Sequence, residues 1–171
     1  MSTMNWKIEL RAVEHKDLAS TRKLVDDAFR SADVVTYLDS LRADGCILGE
    51  WLAEDSSGPL GHIVFSRVWV ELPNGERAKA AMLSPLAVCP DRQRVGIGTQ
   101  LMDFALKALE ARGEALFFVL GHPEYYPRAG FCSVAASRVA SPWSGRPSFM
   151  ARGVFVPEGR LVLPPAIADA P

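Results

Sequence analysis

Apolar and polar residues change rhythm along this chain, and each change marks an element. Residues 7–13 alternate, with Ile8, Leu10 and Ala12 on one side and Lys7, Glu9 and Arg11 on the other, the period of a half-buried strand. From His15 to Arg30 the apolar positions Leu18, Leu24, Val25, Ala28 and Phe29 fall at helical spacing, and Asp33 is placed to cap a second helix through Leu41. Ile47–Glu54 and Leu60–Glu71 read as strands around Asp55-Ser56-Ser57-Gly58-Pro59, a turn-forming cluster that predicts an antiparallel hairpin. Pro73-Asn74-Gly75-Glu76 predicts another tight turn, leading into a strand over Lys79–Val88.

Helical spacing returns from Val95 to Arg112, where Leu101, Met102, Ala105, Leu106 and Leu109 share one face and Gly113 supplies a stop. Ala115–Leu120 is a short buried-strand run. Strand, helix and strand in that order predict a parallel pair joined by a right-handed crossover. Two more strands are expected at Phe131–Arg138 and Phe149–Val156, joined by a loop containing Trp143. The sum is an α/β fold, a mixed sheet of six to seven strands with about four helices, in one domain over residues 1–171. Its tail, Pro157 to Pro171, is rich in Pro and Ala.

Composition narrows the function. A chain with 49% hydrophobic and 23% charged residues can bury an ordinary globular core. A formal net charge of −1 argues against a nucleic-acid partner. Cys46, Cys89 and Cys132 are widely separated and lack Cys-x-x-Cys spacing, so neither a disulfide framework nor a metal site is expected, and a reduced, cytoplasmic protein is. The first residues carry no basic segment followed by an apolar run, and no uninterrupted apolar stretch of about 18 residues occurs, so no membrane association is expected.

The chemistry concentrates between the third long strand and its helix, in Pro90-Asp91-Arg92-Gln93-Arg94-Val95-Gly96-Ile97-Gly98-Thr99. Two glycines one residue apart let the backbone turn tightly, and the first amides of the following helix then point into the turn. With the helix dipole and the guanidinium groups of Arg92 and Arg94 they make a seat for a diphosphate. Arg128 and Arg138 add to a basic cluster suited to an anionic cofactor. A dinucleotide loop would need a third glycine where Leu101 stands and an acidic residue near Leu120-Gly121-His122, and no Lys-Ser or Lys-Thr follows the glycines as a mononucleotide loop would require.

Gln93-x-x-Gly96-x-Gly98, after a strand ending Leu86-Ala87-Val88-Cys89-Pro90, closely resembles the acyl-CoA signature of the GNAT superfamily of N-acyltransferases. A second stretch, Gly121-His122-Pro123-Glu124-Tyr125-Tyr126-Pro127-Arg128-Ala129-Gly130-Phe131, supports it: the superfamily carries a Tyr four residues before a Gly-Phe, and Tyr126 fits. The wording of that stretch looks like the YhbS-like branch of predicted acetyltransferases.

The resemblance implies an acyl-CoA-binding core at about residues 79–131, followed by C-terminal strands and tail over 131–171. It implies acetyl-CoA or another acyl-CoA as co-substrate and direct transfer of the acyl group to a primary amine of a small molecule or peptide. Gln93, Arg94, Val95, Gly96, Ile97, Gly98 and Thr99 are expected to hold the diphosphate, and Leu86, Ala87 and Val88 to hydrogen-bond the pantetheine arm as if it were an added strand. Tyr126 is expected to be the general acid, since a phenol of pKa about 10 can protonate a departing thiolate of pKa about 8.5 without first ionising. Tyr125, turned about 100° away, reads as a packing residue. His122 is a candidate base or cofactor contact, with Glu50, Glu54, Glu71 and Ser84 as other bases, and Cys89 reads as a small core residue. An acyl-CoA-binding regulatory module without catalysis is the alternative. Acceptor choice is expected to lie in residues 14–45 and 138–148. The apolar run Phe149–Val156, with Arg152 its only charge, presents an edge for the tail or a homodimer partner to cover.

Overall fold

Local chemistry at two turns sets up the sheet. Asp55 accepts a hydrogen bond from the Ser57 amide at 2.8 Å, and Asn74 accepts one from the Glu76 amide at 2.9 Å, so each short polar side chain closes its own turn. The strands they join are β2 (Ile47–Asp55), β3 (Gly58–Glu71) and β4 (Arg77–Val88), all antiparallel. The computed structural model describes residues 7–170, and the expectation about a leader in Met1–Trp6 lies outside the described residues.

Before this hairpin pair come β1 (Glu9–Ala12), α1 (Leu18–Phe29) and α2 (Ala32–Asp44); after it come α3 (Ile97–Ala111), β5 (Phe117–Leu120), α4 (Ser133–Ala136), β6 (Val139–Ala140), β7 (Phe149–Arg152), β8 (Gly159–Val162) and α5 (Pro165–Ala168). The sheet order is β1-β2-β3-β4-β5-β7, and β8 pairs with the end of β3 and with β6. Of these contacts β4–β5 and β6–β8 are parallel. This is the expected mixed α/β sheet.

The helices cover both faces. Val35, Leu38 and Leu41 of α2 and Val25 of α1 pack with Val64, Val68 and Val70 on one face. On the other, Leu101, Met102, Ala105, Leu106 and Leu109 of α3 pack with Ile63, Phe65 and Phe117, the full helical stripe legible in the sequence.

A bulge in β4 decides what happens at its end. Ile63 pairs with Leu86 and Phe65 with Leu83, so Val64 alone opposes both Ser84 and Pro85. The extra residue inverts the alternation. Met82 faces the α2 side before the bulge and Ala87 faces it afterwards, while Leu86 and Val88 turn toward α3. Beside it, β5 pairs with β4 only from Ala81–Phe117 to Leu83–Val119, after which the two parallel strands part.

Several expectations are corrected. Ser31 caps α2, accepting from the Val34 amide at 3.4 Å, and Asp33 lies in the first turn. Phe131–Arg138 is not a strand: Phe131 and Ala136 are buried while Ser133 and Val134 are exposed, which breaks the alternation, and α4 forms there. The tail contributes β8, bounded by Pro157 and Pro164, and α5, whose Ala166 amide donates to Asp44 of α2 at 3.0 Å. β7 pairs with β5 on one side, and Cys132 bridges to Ala151 on the other. The β7 part of the apolar run is thus covered within the chain, while Val154 and Phe155, beyond the end of the strand at Arg152, are exposed.

Arg67 of β3 reaches across the sheet to Glu114, just before β5. It donates to both carboxylate oxygens and to the Ala80 carbonyl at 3.2 Å. Those hydrogen bonds hold the Glu114 carboxyl below the usual glutamate range although burial opposes it. Replacing Glu114 with Ala leaves Arg67 half-buried and unpaired and is expected to cost about 3 kcal/mol in urea unfolding at pH 7. Because the folded value is depressed, this contribution is complete above the free glutamate pKa of about 4.3 and is lost as pH falls through the folded value, so the gap between wild type and Glu114→Ala should close in acid.

Candidate functional site

Where β4 and β5 part, peptide groups are left facing open space. The Cys89 amide donates to the Leu60 carbonyl of β3 at 2.7 Å, and successive peptides alternate in direction, so Ala87 also faces β3. Leu86 and Val88 therefore face the gap. The Val88 carbonyl accepts from the Gln93 side chain at 3.1 Å, which folds the following loop back onto the strand. Of the three residues expected to bind a pantetheine arm, Leu86 and Val88 present backbone to the gap and Ala87 is taken up by β3.

The loop then enters α3 through Arg94 at φ 63° and Gly96 at φ 91°, both left-handed. Gly96 is the helix N-cap and carries no side-chain cap, so the first amides of this 15-residue helix point into the turn. Gly98 sits inside the first turn for a steric reason: a Cβ there would lie 2.8 Å from the Tyr125 hydroxyl and 3.3 Å from Val88. Together these groups border a cavity of about 710 Å³, lined on the loop side by Arg92, Gln93, Arg94 and Gly96 through Thr99.

The opposite wall comes from the segment after β5. Tyr125, expected only to pack, is part of it: its hydroxyl lies 3.2 Å from Thr99 Oγ1, and the Arg128 guanidinium sits over its ring at 4.6 Å. Arg92 and Arg128 line this cavity beside Arg94, whereas Arg138 lies elsewhere, near Glu158 and Arg160. The basic cluster is thus three arginines. Arg92 is joined to Asp55 of the first turn at 3.5 Å.

Tyr126 stands at the inner end. Its ring is 8% exposed, edge-on to Tyr125 and Phe131, and a Cβ on Gly121 would overlap it. Burial pushes the phenol up to about 12. Its hydroxyl has no hydrogen-bond partner among the described residues, and the residue lines the cavity. The group is therefore a proton donor that stays protonated at neutral pH.

The candidate bases separate clearly. His122 is exposed on the wall of this same cavity, and its carbonyl accepts from the amides of Tyr125 and Tyr126. Glu50 is taken up by Arg42 at 2.8 Å and His62 at 2.8 Å; burial would raise its pKa, but these hydrogen bonds outweigh it and hold the carboxyl low. His62 is fully buried, which lowers its pKa and leaves a neutral ring donating to Glu50. Glu54 pairs with Arg11 at 2.6 Å and Glu71 with Arg160 at 3.2 Å. Ser84 lies beside the gap on the α2 face, where it lines a second cavity together with Tyr37. Among the described residues no group of three His, Cys, Asp or Glu side chains is placed to hold a metal, and no helix is long and apolar enough to cross a membrane.

A gap flanked by open strand peptides, leading to a helix N-terminus with arginines, fits a long ligand made of amides and a diphosphate. Comparison with known proteins agrees. Residues 12–131 match the Acetyltransferase (GNAT) family. The chain is 40% identical over 126 residues to the uncharacterized N-acetyltransferase YjhQ of Escherichia coli K12, covering 69% of this chain and 66%, just under two thirds, of that protein. It is 31% identical to the uncharacterized N-acetyltransferase YhbS of the same strain, over 73% of this chain and 74% of that protein. Among solved structures, E. coli YhbS in complex with CoA superimposes with a TM-score of 0.85 at 25% identity over 98% of this chain and 96% of the other. A GNAT acetyltransferase from Brucella melitensis in complex with acetyl-CoA gives 0.78 at 27% identity over 95% and 99%. By the matched segment and by these relatives, the chain belongs to the GNAT family of acetyltransferases.

Proposed function

We propose that this chain, acting as one domain, moves an acetyl or other acyl group from acyl-CoA directly to a primary amine of a small molecule or peptide. The observation that carries the reading is the open gap at Leu86 and Val88 leading to the Gly96–Gly98 turn, with Tyr126 at its inner end. The gap peptides match the amides of a pantetheine arm, and the α3 N-terminus with Arg92, Arg94 and Arg128 matches a diphosphate. His122, on the same wall, serves as a cofactor contact in this reading.

The balance of the reaction assigns Tyr126 its role. The amine nitrogen forms a bond to the thioester carbonyl carbon and the carbon–sulfur bond breaks. An ammonium loses two protons overall: one leaves to solvent before attack, and the other balances the proton that Tyr126 gives to sulfur. A phenol held at about 12 supplies that proton without having ionised. Every residue given a role here comes from one chain, while Val154 and Phe155 of the run that suggested a homodimer stay exposed and open to a second copy.

Two measurements test this. Gly98→Val pushes the Tyr125 hydroxyl out of its place and narrows the cavity, and is expected to raise the acetyl-CoA Kd about tenfold or more by calorimetry, about 1.4 kcal/mol, with the melting temperature little changed. Unaltered affinity in a folded variant contradicts the diphosphate assignment. Tyr126→Phe removes only a hydroxyl without a protein partner, so acetyl-CoA should bind as before while kcat, read as thiol release, falls about 100-fold. Binding of acetyl-CoA with no release by wild type over a broad amine panel favours the non-catalytic, acyl-CoA-binding module instead.

A further inference from the structure

A second cavity lies on the other face of the sheet, and the ends of β4 and β5 border both cavities. On β4, Ser84 lines it while Leu86 lines the larger cavity; after β5, Leu120 lines it while His122 lines the larger one. The bulge at Ser84 and Pro85 is what lets one strand border both. The cavity measures about 380 Å³ and opens between α2, the loop carrying Trp143, and the tail.

Resting on the acyl-transfer reading above, we propose that this cavity receives the acceptor, and that the acceptor is a primary amine on an apolar, ring-bearing body without a carboxylate, of the arylalkylamine class. Its walls are Val34, Met82, Trp143, Leu163 and Ile167, with Tyr37 and Ser84 as the hydroxyl-bearing residues of the lining. Trp143 is held rigidly for such a role. Its ring packs on Phe149 at 5.9 Å, Phe149 stacks on Phe118, and its amide donates to Ser141 Oγ at 3.0 Å. A flat ring can therefore lie against a fixed aromatic surface, which favours aromatic over flexible ligands.

Charge sets the other half of the specificity. Among the described residues Asp33 is the one charged residue of the lining; it is exposed in the first turn of α2 and has no ion-pair partner among them. It favours entry of a cation and repels a carboxylate. Among the described residues no Arg, Lys or His lines the cavity, so they offer the carboxylate of a free amino acid no counter-charge. A single carboxylate likewise matches one ammonium and leaves the several charges of a polyamine or an aminoglycoside without partners.

Phenethylamine and L-phenylalanine differ only by the carboxylate and make the decisive pair. In thiol-release assays kcat/KM for phenethylamine is expected to exceed that for L-phenylalanine and for spermidine by about tenfold or more. Trp143→Ala should lower kcat/KM for phenethylamine about tenfold and lower that for ethylamine far less, a split that general unfolding would not give. Asp33→Asn should raise KM for phenethylamine several-fold and narrow the preference over L-phenylalanine, with acetyl-CoA affinity unaltered. Calorimetric titration of phenethylamine into the CoA-saturated protein separates the two readings. Binding without turnover overturns the acyl-transfer reading and leaves the cavity assignment standing. Turnover that favours L-phenylalanine or spermidine, or no binding of phenethylamine, overturns the assignment.

Discussion

The parting of β4 from β5 after Leu83 and Val119 is the constraint from which the site follows. Two parallel strands that stayed paired would satisfy each other and leave nothing for a ligand. Once they part, the peptide groups of Leu86 and Val88 need other partners, because unpaired buried peptide groups cost about 1–3 kcal/mol each. The bulge at Ser84 and Pro85 adds to this by inverting the side-chain alternation of β4. Ser84 ends on the α2 face and Leu86 on the α3 face, so one strand serves two cavities.

The surrounding residues keep the gap shaped. Gln93 ties the loop to the Val88 carbonyl, Gly98 makes room for the Tyr125 hydroxyl, and Gly121 makes room for the Tyr126 ring. The first ties the loop to β4, the second brings the α3 N-terminus against the segment after β5, and the third folds that segment on itself. Arg67 and Glu114, on the far side of the same crossover, fix where β5 begins. The proposed donor site is therefore built on rigid elements, and the raised pKa of its phenol comes from burial rather than from a charged neighbour.

Much of this was legible in the sequence, because the signals were local. The stripe on α3, the turns at Asp55 and Asn74, and the spacing from Gln93 to Gly98 each depend on residues within a few positions of one another. What escaped depended on distant partners. Phe131–Arg138 looks apolar enough for a strand, but the partner available is Ala151, which Cys132 meets in a single bridge, so the segment turns helical after it. β8 lies between prolines in a tail and gains strand character from distant partners, Trp69–Glu71 and Val139–Ala140. Tyr125 read as packing because nothing local shows that Gly98 and Thr99 come within reach of its hydroxyl. Arg138 looked like one of a basic group and is carried away by α4 and β6 to the far end of the sheet. The cavity proposed for the acceptor was legible only as two segments without motifs, since Asp33, Tyr37 and Trp143 meet through tertiary packing alone.

Amide hydrogen exchange at Leu86, Ala87 and Val88, with and without acetyl-CoA, tests the role of the gap most directly. The account predicts fast exchange at Leu86 and Val88 in the free protein, strong slowing there on addition of acetyl-CoA, and slow exchange at Ala87 in both states because its peptide groups face β3. Equal exchange at Leu86 and Val88 with and without acetyl-CoA, under conditions where calorimetry shows it bound, would contradict the claim that the parted strands receive the acyl donor.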